Sequence, residues 1–196
     1  MAGVDFAGIV LTGGEGARMG GVDKATVELG GRTLLEHALT ALATATEVVV
    51  VGGAVPTTRP VTYTRETPRG GGPAAGVLAG LEAFAGEPSL VVVLAVDMPR
   101  VTADTVHRLV GAARGDGAVL VDHEGRRQHL CAAYTTTALA RCRPMSGEGH
   151  GMSMQRLVAD LDVAEVSAEP GETRDVDTWD DLAALRALTS DSGRKP

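Results

Sequence analysis

The 196-residue chain is poor in aromatic side chains, with one Trp, two Tyr and two Phe. A core built from it must be packed with Val, Leu and Ala instead. Cysteine is as scarce. Cys131 and Cys142 form no CxxC pair and no disulfide framework, which points to a reducing, cytoplasmic setting. No apolar run is long enough to span a bilayer. The N-terminus lacks the basic segment and apolar stretch of a secretory leader, so no membrane partner is expected. Positive charge is not in excess: 18 Lys and Arg stand against 25 Asp and Glu, a formal net charge of −7. That balance argues against nucleic acid as the main partner, because backbone binding needs concentrated Lys and Arg. It leaves room for a single nucleotide, which a few donors can hold.

What the chain has in quantity is glycine, 26 residues, much of it in clusters. The clusters fall between apolar runs, as special loops do. Phe6–Leu11 reads as a buried strand, Glu47–Val51 as a second, Val61–Tyr63 as a short third and Leu90–Val96 as the strongest of all. Ala118–Val121, Cys131–Tyr134 and Val163–Val166 read as further strands. Helices are predicted from about Thr33 to Ala43, opened by a Thr33/Glu36 capping box, and through Val77, Leu78, Leu81 and Phe84. Others are predicted from a Thr102 cap to about Val110, over Met152–Ala159, and from Thr178 to about Leu188. Thr67–Pro73 is predicted to be irregular. The alternation predicts an α/β fold: a Rossmann-like, doubly wound, mostly parallel sheet with helices on both faces. It forms one domain over residues 1–190 with a frayed tail at 191–196, expected to be a monomer.

Folds of this class bind ligands at the carboxyl ends of their strands. Three unusual segments fall there: Thr12–Lys24, Glu66–Gly76 and Asp97–Pro99. In the first, Gly13, Gly14 and Gly16 let backbone N–H groups approach phosphates, Arg18 offers a forked donor and Lys24 a point charge. The pattern is neither GxxxxGK[ST] nor a clean GxGxxG. Asp97 follows VVVLAV directly and is placed to hold a Mg²⁺ that aligns phosphates. Asp175 and Asp177 alternate just before the last helix, so they share a side and one of them can reach the same ion. Asp180 and Asp181 read as first-turn helix acids. Gly13, Gly14, Gly52 and Gly53 carry no side chains to fill a base slot, which favours a purine. His37 reads as structural and His107 as solvent-facing; Met152 and Met154 read as packing residues.

Five stretches in order carry a resemblance: LTGGEGARMGGVDKATVELGGRTLLEHAL (Leu11–Leu39), GGPAAGVLAGLEA (Gly71–Ala83), VVVLAVDMPRV (Val91–Val101), RQHLCAAY (Arg127–Tyr134) and RDVDTWDDL (Arg174–Leu182). The chain resembles the MobA-like NTP transferases, most closely the molybdenum cofactor guanylyltransferases, with Asp23-Lys24-Ala25 favouring that branch. The resemblance implies a nucleotide-diphospho-sugar transferase type of fold, GTP as substrate, Mg²⁺ as cofactor, and molybdopterin or molybdenum cofactor as acceptor. It also implies transient contact with molybdoenzymes or cofactor-handling proteins. It places Leu11, Thr12, Gly13, Gly14 and Gly16 against the nucleotide and Arg18 and Lys24 on its phosphates, with Asp97 on the metal. Glu66 stands as the nearest acid to the family's aspartate before Gly72-Pro73. Gln128-His129-Leu130 stands where the family commonly has QPL, a change expected to touch no catalytic group. Asp175 and Asp177 replace amides, and Trp179 replaces a proline.

Overall fold

The computed structural model describes residues 4–13, 20–145 and 150–191. Its central sheet has the strand order β5-β4-β1-β6-β8. The strands are β1 (Ala7–Leu11), β4 (Val48–Val51), β5 (Thr62–Thr64), β6 (Leu90–Ala95) and β8 (Arg127–Thr135). The first four are mutually parallel and β8 runs antiparallel to β6. Beside β8 runs β7 (Gly117–Val121), paired in parallel with β9 (Val163–Ser167). A short hairpin, β2 (Glu28–Leu29) and β3 (Arg32–Thr33), stands apart.

Strands buried on both faces need apolar residues at every position, and β1, β4 and β6 supply them. Along β1 and its neighbours the side chains alternate between two cores. Val10, Val50, Val92 and Leu94 pack with α1 (Leu34–Ala41), α3 (Ala103–Ala112) and α6 (Trp179–Asp191). Ile9, Leu11, Val49, Val91 and Val93 pack with α2 (Gly72–Glu82), α4 (Thr136–Arg141) and α5 (Met154–Leu157). Helices on both faces of a mostly parallel sheet make the Rossmann-like α/β architecture. The helix α2 lies close on β1 because Gly80 has no side chain. A Cβ there would come within 2.9 Å of Ile9 Cγ2, an overpacking that costs about 1–3 kcal/mol.

Several elements differ from the pattern reading, each for a local reason. Thr33 caps α1 by accepting from Glu36 N at 3.1 Å, but Glu36 does not reciprocate. Its carboxylate instead takes the N–H and hydroxyl of Thr58, at 2.8 and 2.6 Å, so a distant loop replaces half of the capping box. Gly72 and Pro73 belong to the first turn of α2, where a proline loses nothing because that N–H has no intrahelical partner. The helix expected over Met152–Ala159 shrinks to Met154–Leu157. Met154, Leu157, Val158 and Leu161 are all buried, so the apolar spacing held. Met152 is drawn out of the helix because its carbonyl accepts from Ala74 N. Thr102 does cap α3, in a reciprocal box with Thr105.

Candidate functional site

The strand order reverses at β1: the chain leaves it for β4 and β5 on one side and returns to β6 on the other. A crevice at such a reversal, outside the strand carboxyl ends, is where α/β sheets take ligands. Here Leu11 pairs in register with Ala95, and Val96 N donates to Leu11 O at 3.0 Å. The chain therefore brings Thr12–Gly13 and Asp97 to one edge. Thr12 is buried and turns back on β4, its N–H and hydroxyl both donating to Val51 O at 3.1 Å. That closure needs Gly52: a Cβ on it would lie 1.8 Å from Thr12 Oγ1. The bare edge of Gly52 is thus filled by Thr12, and a Cβ on Gly53 would meet Arg65 and Asp23. This corrects the purine argument at both positions. Of Gly13, Gly52 and Gly53, it is Gly13 that has open space where a side chain would stand.

Lys24 opens a single 3-10 turn, Lys24–Thr26. Each residue of Asp23-Lys24-Ala25 has a part in it. The Asp23 carboxylate caps the turn by accepting from Ala25 N at 3.0 Å, and Ala25 is fully buried. Lys24 is left to reach across the strand ends. Its ammonium donates to Asp97 Oδ2 at 3.1 Å and to Asp177 Oδ1 at 2.6 Å. Burial pulls the lysine's pKa down, and Asp177 and Asp97 more than reverse this, leaving it above its ordinary value.

The acids arrive by separate routes. Asp97 stands two residues past β6. Val176 is fully buried and donates its N–H to Asp97 O at 2.8 Å, which ties the Asp175–Asp177 segment to the same edge. Beyond it, Thr178 and Asp181 exchange hydrogen bonds at the start of α6, so Asp181 is a helix-start acid as expected. Trp179, half exposed, takes the first helical position. Asp175 has its pKa raised by burial, then by Asp177 and Asp97. The three acids of the site are therefore neighbours. Among the described residues no three His, Cys, Asp or Glu side chains form a cage able to hold a metal. Two carboxylates converging on one cationic point are the donor set for a Mg²⁺ that takes its remaining ligands from phosphate and water, and Asp97 with Asp177 fit it.

A hollow of about 250 Å³ adjoins Asp97 and Asp175. Its wall includes Gln128, His129 and Thr173. His129, the change expected to touch no catalytic group, thus lines the same hollow as Asp97 and Asp175. Gln128 is engaged elsewhere, donating its amide to Asp122 Oδ2 at 3.0 Å. Spacing along the chain gave no sign of this, because the start of β8 meets the end of β6 only through antiparallel pairing.

Other expected residues lie apart or outside the description. Gly14, Gly16 and Arg18 lie outside the described residues. Glu66 accepts from Gly70 N at 3.1 Å and lines a different cavity, of about 540 Å³, against α2. No contact joins it to Lys24 or Asp97. His37 holds Leu29 O through Nε2 at 2.9 Å, a structural contact, and His107 is exposed. No described helix is long and apolar enough to cross a membrane.

Comparison with known proteins bears on what this edge does. The chain is 36% identical over 170 residues to a probable molybdenum cofactor guanylyltransferase of Mycobacterium marinum, covering 79% of this chain and 84% of that one. Its fold matches a nucleotidyl transferase from Methanothermobacter thermautotroptrophicus with a TM-score of 0.77 at 22% identity, covering 97% and 100% of the two chains. It also matches 2-C-methyl-D-erythritol 4-phosphate cytidylyltransferase from Thermus thermophilus, with a TM-score of 0.66 at 24% identity, covering 95% and 99%. A sequence model of the MobA-like NTP transferase domain matches residues 8–165. With that match over most of its length, the chain belongs to the MobA-like NTP transferase family, and it is a nucleotidyltransferase for a small phosphorylated acceptor.

Proposed function

We propose that this nucleotidyltransferase moves GMP from GTP to molybdopterin, giving the guanine dinucleotide cofactor and pyrophosphate. The observation that carries the reading is the Lys24 ammonium set between Asp97 and Asp177 at the reversal point of the sheet. A phosphate oxygen of the acceptor attacks the α-phosphorus of GTP in line. One P–O bond forms there as the bond to the bridging oxygen breaks, and that oxygen leaves with its electron pair on pyrophosphate. The attacking oxygen is already anionic near neutral pH, so no general base is needed, and positioning and electrostatics supply the rate. Lys24 binds the triphosphate and offsets the charge gathering on the leaving group. Arg18, outside the described residues, shares that task. Thr12 and Gly13 form the nucleotide's edge, and Gly13 leaves open space for a base. Asp97 and Asp177, with Asp175 beside them, would hold Mg²⁺. When bound, Mg²⁺ supplies charge neutralisation at the phosphates.

Support for guanine comes from the guanylyltransferase relatives and from the Asp23-Lys24-Ala25 turn, not from the geometry of the base slot. A cytidylyltransferase shares the fold, so the nucleotide has to be measured. The experiment is a competition among all four NTPs with molybdopterin and Mg²⁺, with mass analysis of the product. A guanine dinucleotide is expected as the main product. A cytosine dinucleotide would overturn the nucleotide assignment, and a trapped nucleotidyl-protein would overturn direct transfer.

A further inference from the structure

The hollow beside Asp97 holds two carboxylates, Asp97 and Asp175, which repel an incoming phosphate. Attraction must then come from a bound cation or from uncharged donors in the wall. Gln128 is drawn aside by Asp122, which takes one of its two amide N–H groups. His129 has not spent its ring: Nδ1 is enclosed and has no hydrogen-bond partner among the described residues. A neutral imidazole carries one N–H and one bare nitrogen. Enclosing an unpartnered N–H is the costlier arrangement, so the proton belongs on Nε2, and His129 is part of the hollow's lining. Burial, then Arg127, holds this histidine's pKa below the ordinary range, which keeps the ring an uncharged donor. At about 250 Å³ the hollow is smaller than the sites that enclose whole small molecules. It suits one end of an acceptor, and the end that must come to Asp97 is the attacking phosphate.

We propose that His129 determines acceptor binding: its Nε2–H donates to a phosphate oxygen of the phosphomonoester acceptor in the hollow beside Asp97. The inference rests on the transfer reaction proposed above. It is tested by steady-state kinetics of the full chain with Mg²⁺, GTP and molybdopterin, each substrate varied in turn. His129→Ala should raise the acceptor KM about tenfold, the effect of one lost hydrogen bond to a charged group. The KM for GTP and the melting temperature should stay at wild-type values. His129→Gln, whose amide nitrogen stands near the position of Nε2, should recover most of the loss. An unchanged acceptor KM in His129→Ala, or a GTP KM that rises in step with it, overturns the proposal. If the wild-type chain makes no dinucleotide with molybdopterin from any NTP, the transfer reading falls and takes this inference with it. A silent wild type and an unaffected variant are separate results.

Discussion

Carboxylates serve this protein in two ways, and their partners tell them apart. Asp122 accepts from Glu124 N, Arg126 N and the Arg126 guanidinium at 2.9 Å, and from the Gln128 amide at 3.0 Å. Its pKa is held down to about 2, chiefly by the Arg126 N–H. Glu172, 6% exposed, accepts from Thr105, from Arg108 and from Glu169 N. Burial would raise its pKa, and these donors together bring it below the usual carboxylate range. Fixed donors of this kind lock a turn and leave little capacity for a ligand. Asp97 and Asp177 instead converge on one lysine ammonium, and Asp175 beside them is pushed up, not down. A monovalent ammonium on which two acids converge can be exchanged for another cation. The first arrangement builds the chain and the second is suited to chemistry.

The comparison breaks most visibly at Lys24. Lys24→Ala should lower kcat/KM about a thousandfold, a loss of roughly 4 kcal/mol of transition-state stabilisation. Its melting temperature should stay within about 4 °C of wild type. Turnover close to wild type would remove Lys24 from the phosphates. Glu172→Ala should do the reverse. It removes the acceptor shared by the buried Thr105 hydroxyl, the Arg108 guanidinium and Glu169 N, which costs about 3 kcal/mol of stability. For a chain of this size that is about 6–12 °C in Tm, with turnover at 25 °C reduced much less than in Lys24→Ala. A variant that melts like wild type would show that the Glu172 network does not lock its turn.

Sequence pattern reached the parts of this fold that repeat, and missed the parts that depend on a distant partner. Buried strands such as Val48–Val51 and Leu90–Ala95 were legible because a run of apolar residues has few other uses. Of the candidate site, the sequence singled out Lys24 and Asp97, which follow recognisable loops and strand ends and which the fold brings together. That Lys24 would bridge Asp97 and Asp177, residues 73 and 153 positions away in sequence, was not. Local spacing carries no information about pairing at that range. The same limit hid His129 at the start of an antiparallel strand and Thr58 as the partner of Glu36. Gly52 shows the opposite failure. Its missing side chain was visible, but Thr12 claims the space, and only packing reveals a competitor.

Asp175 gives the smallest and sharpest test of the division. Its pKa is raised by burial first and by Asp177 and Asp97 next, so its ionised form is less comfortable in the folded chain than in the unfolded one. For a carboxyl shifted this way, the favourable balance is complete below the unfolded value, near 3.8, and is lost as pH rises through the higher folded value. Asp175→Asn keeps the size and removes the charge. Without divalent cation, the variant should melt slightly above wild type at pH 7, and the gap should close as the pH is brought below about 3.8. Asp122→Asn should behave in the opposite sense, because a depressed pKa stabilises the fold at pH 7 and that contribution fades as pH falls toward 2. Thermal melts of the two variants across pH, in parallel with wild type, make the measurement. If both variants shift Tm in the same direction at pH 7, the distinction between saturated and convergent carboxylates fails.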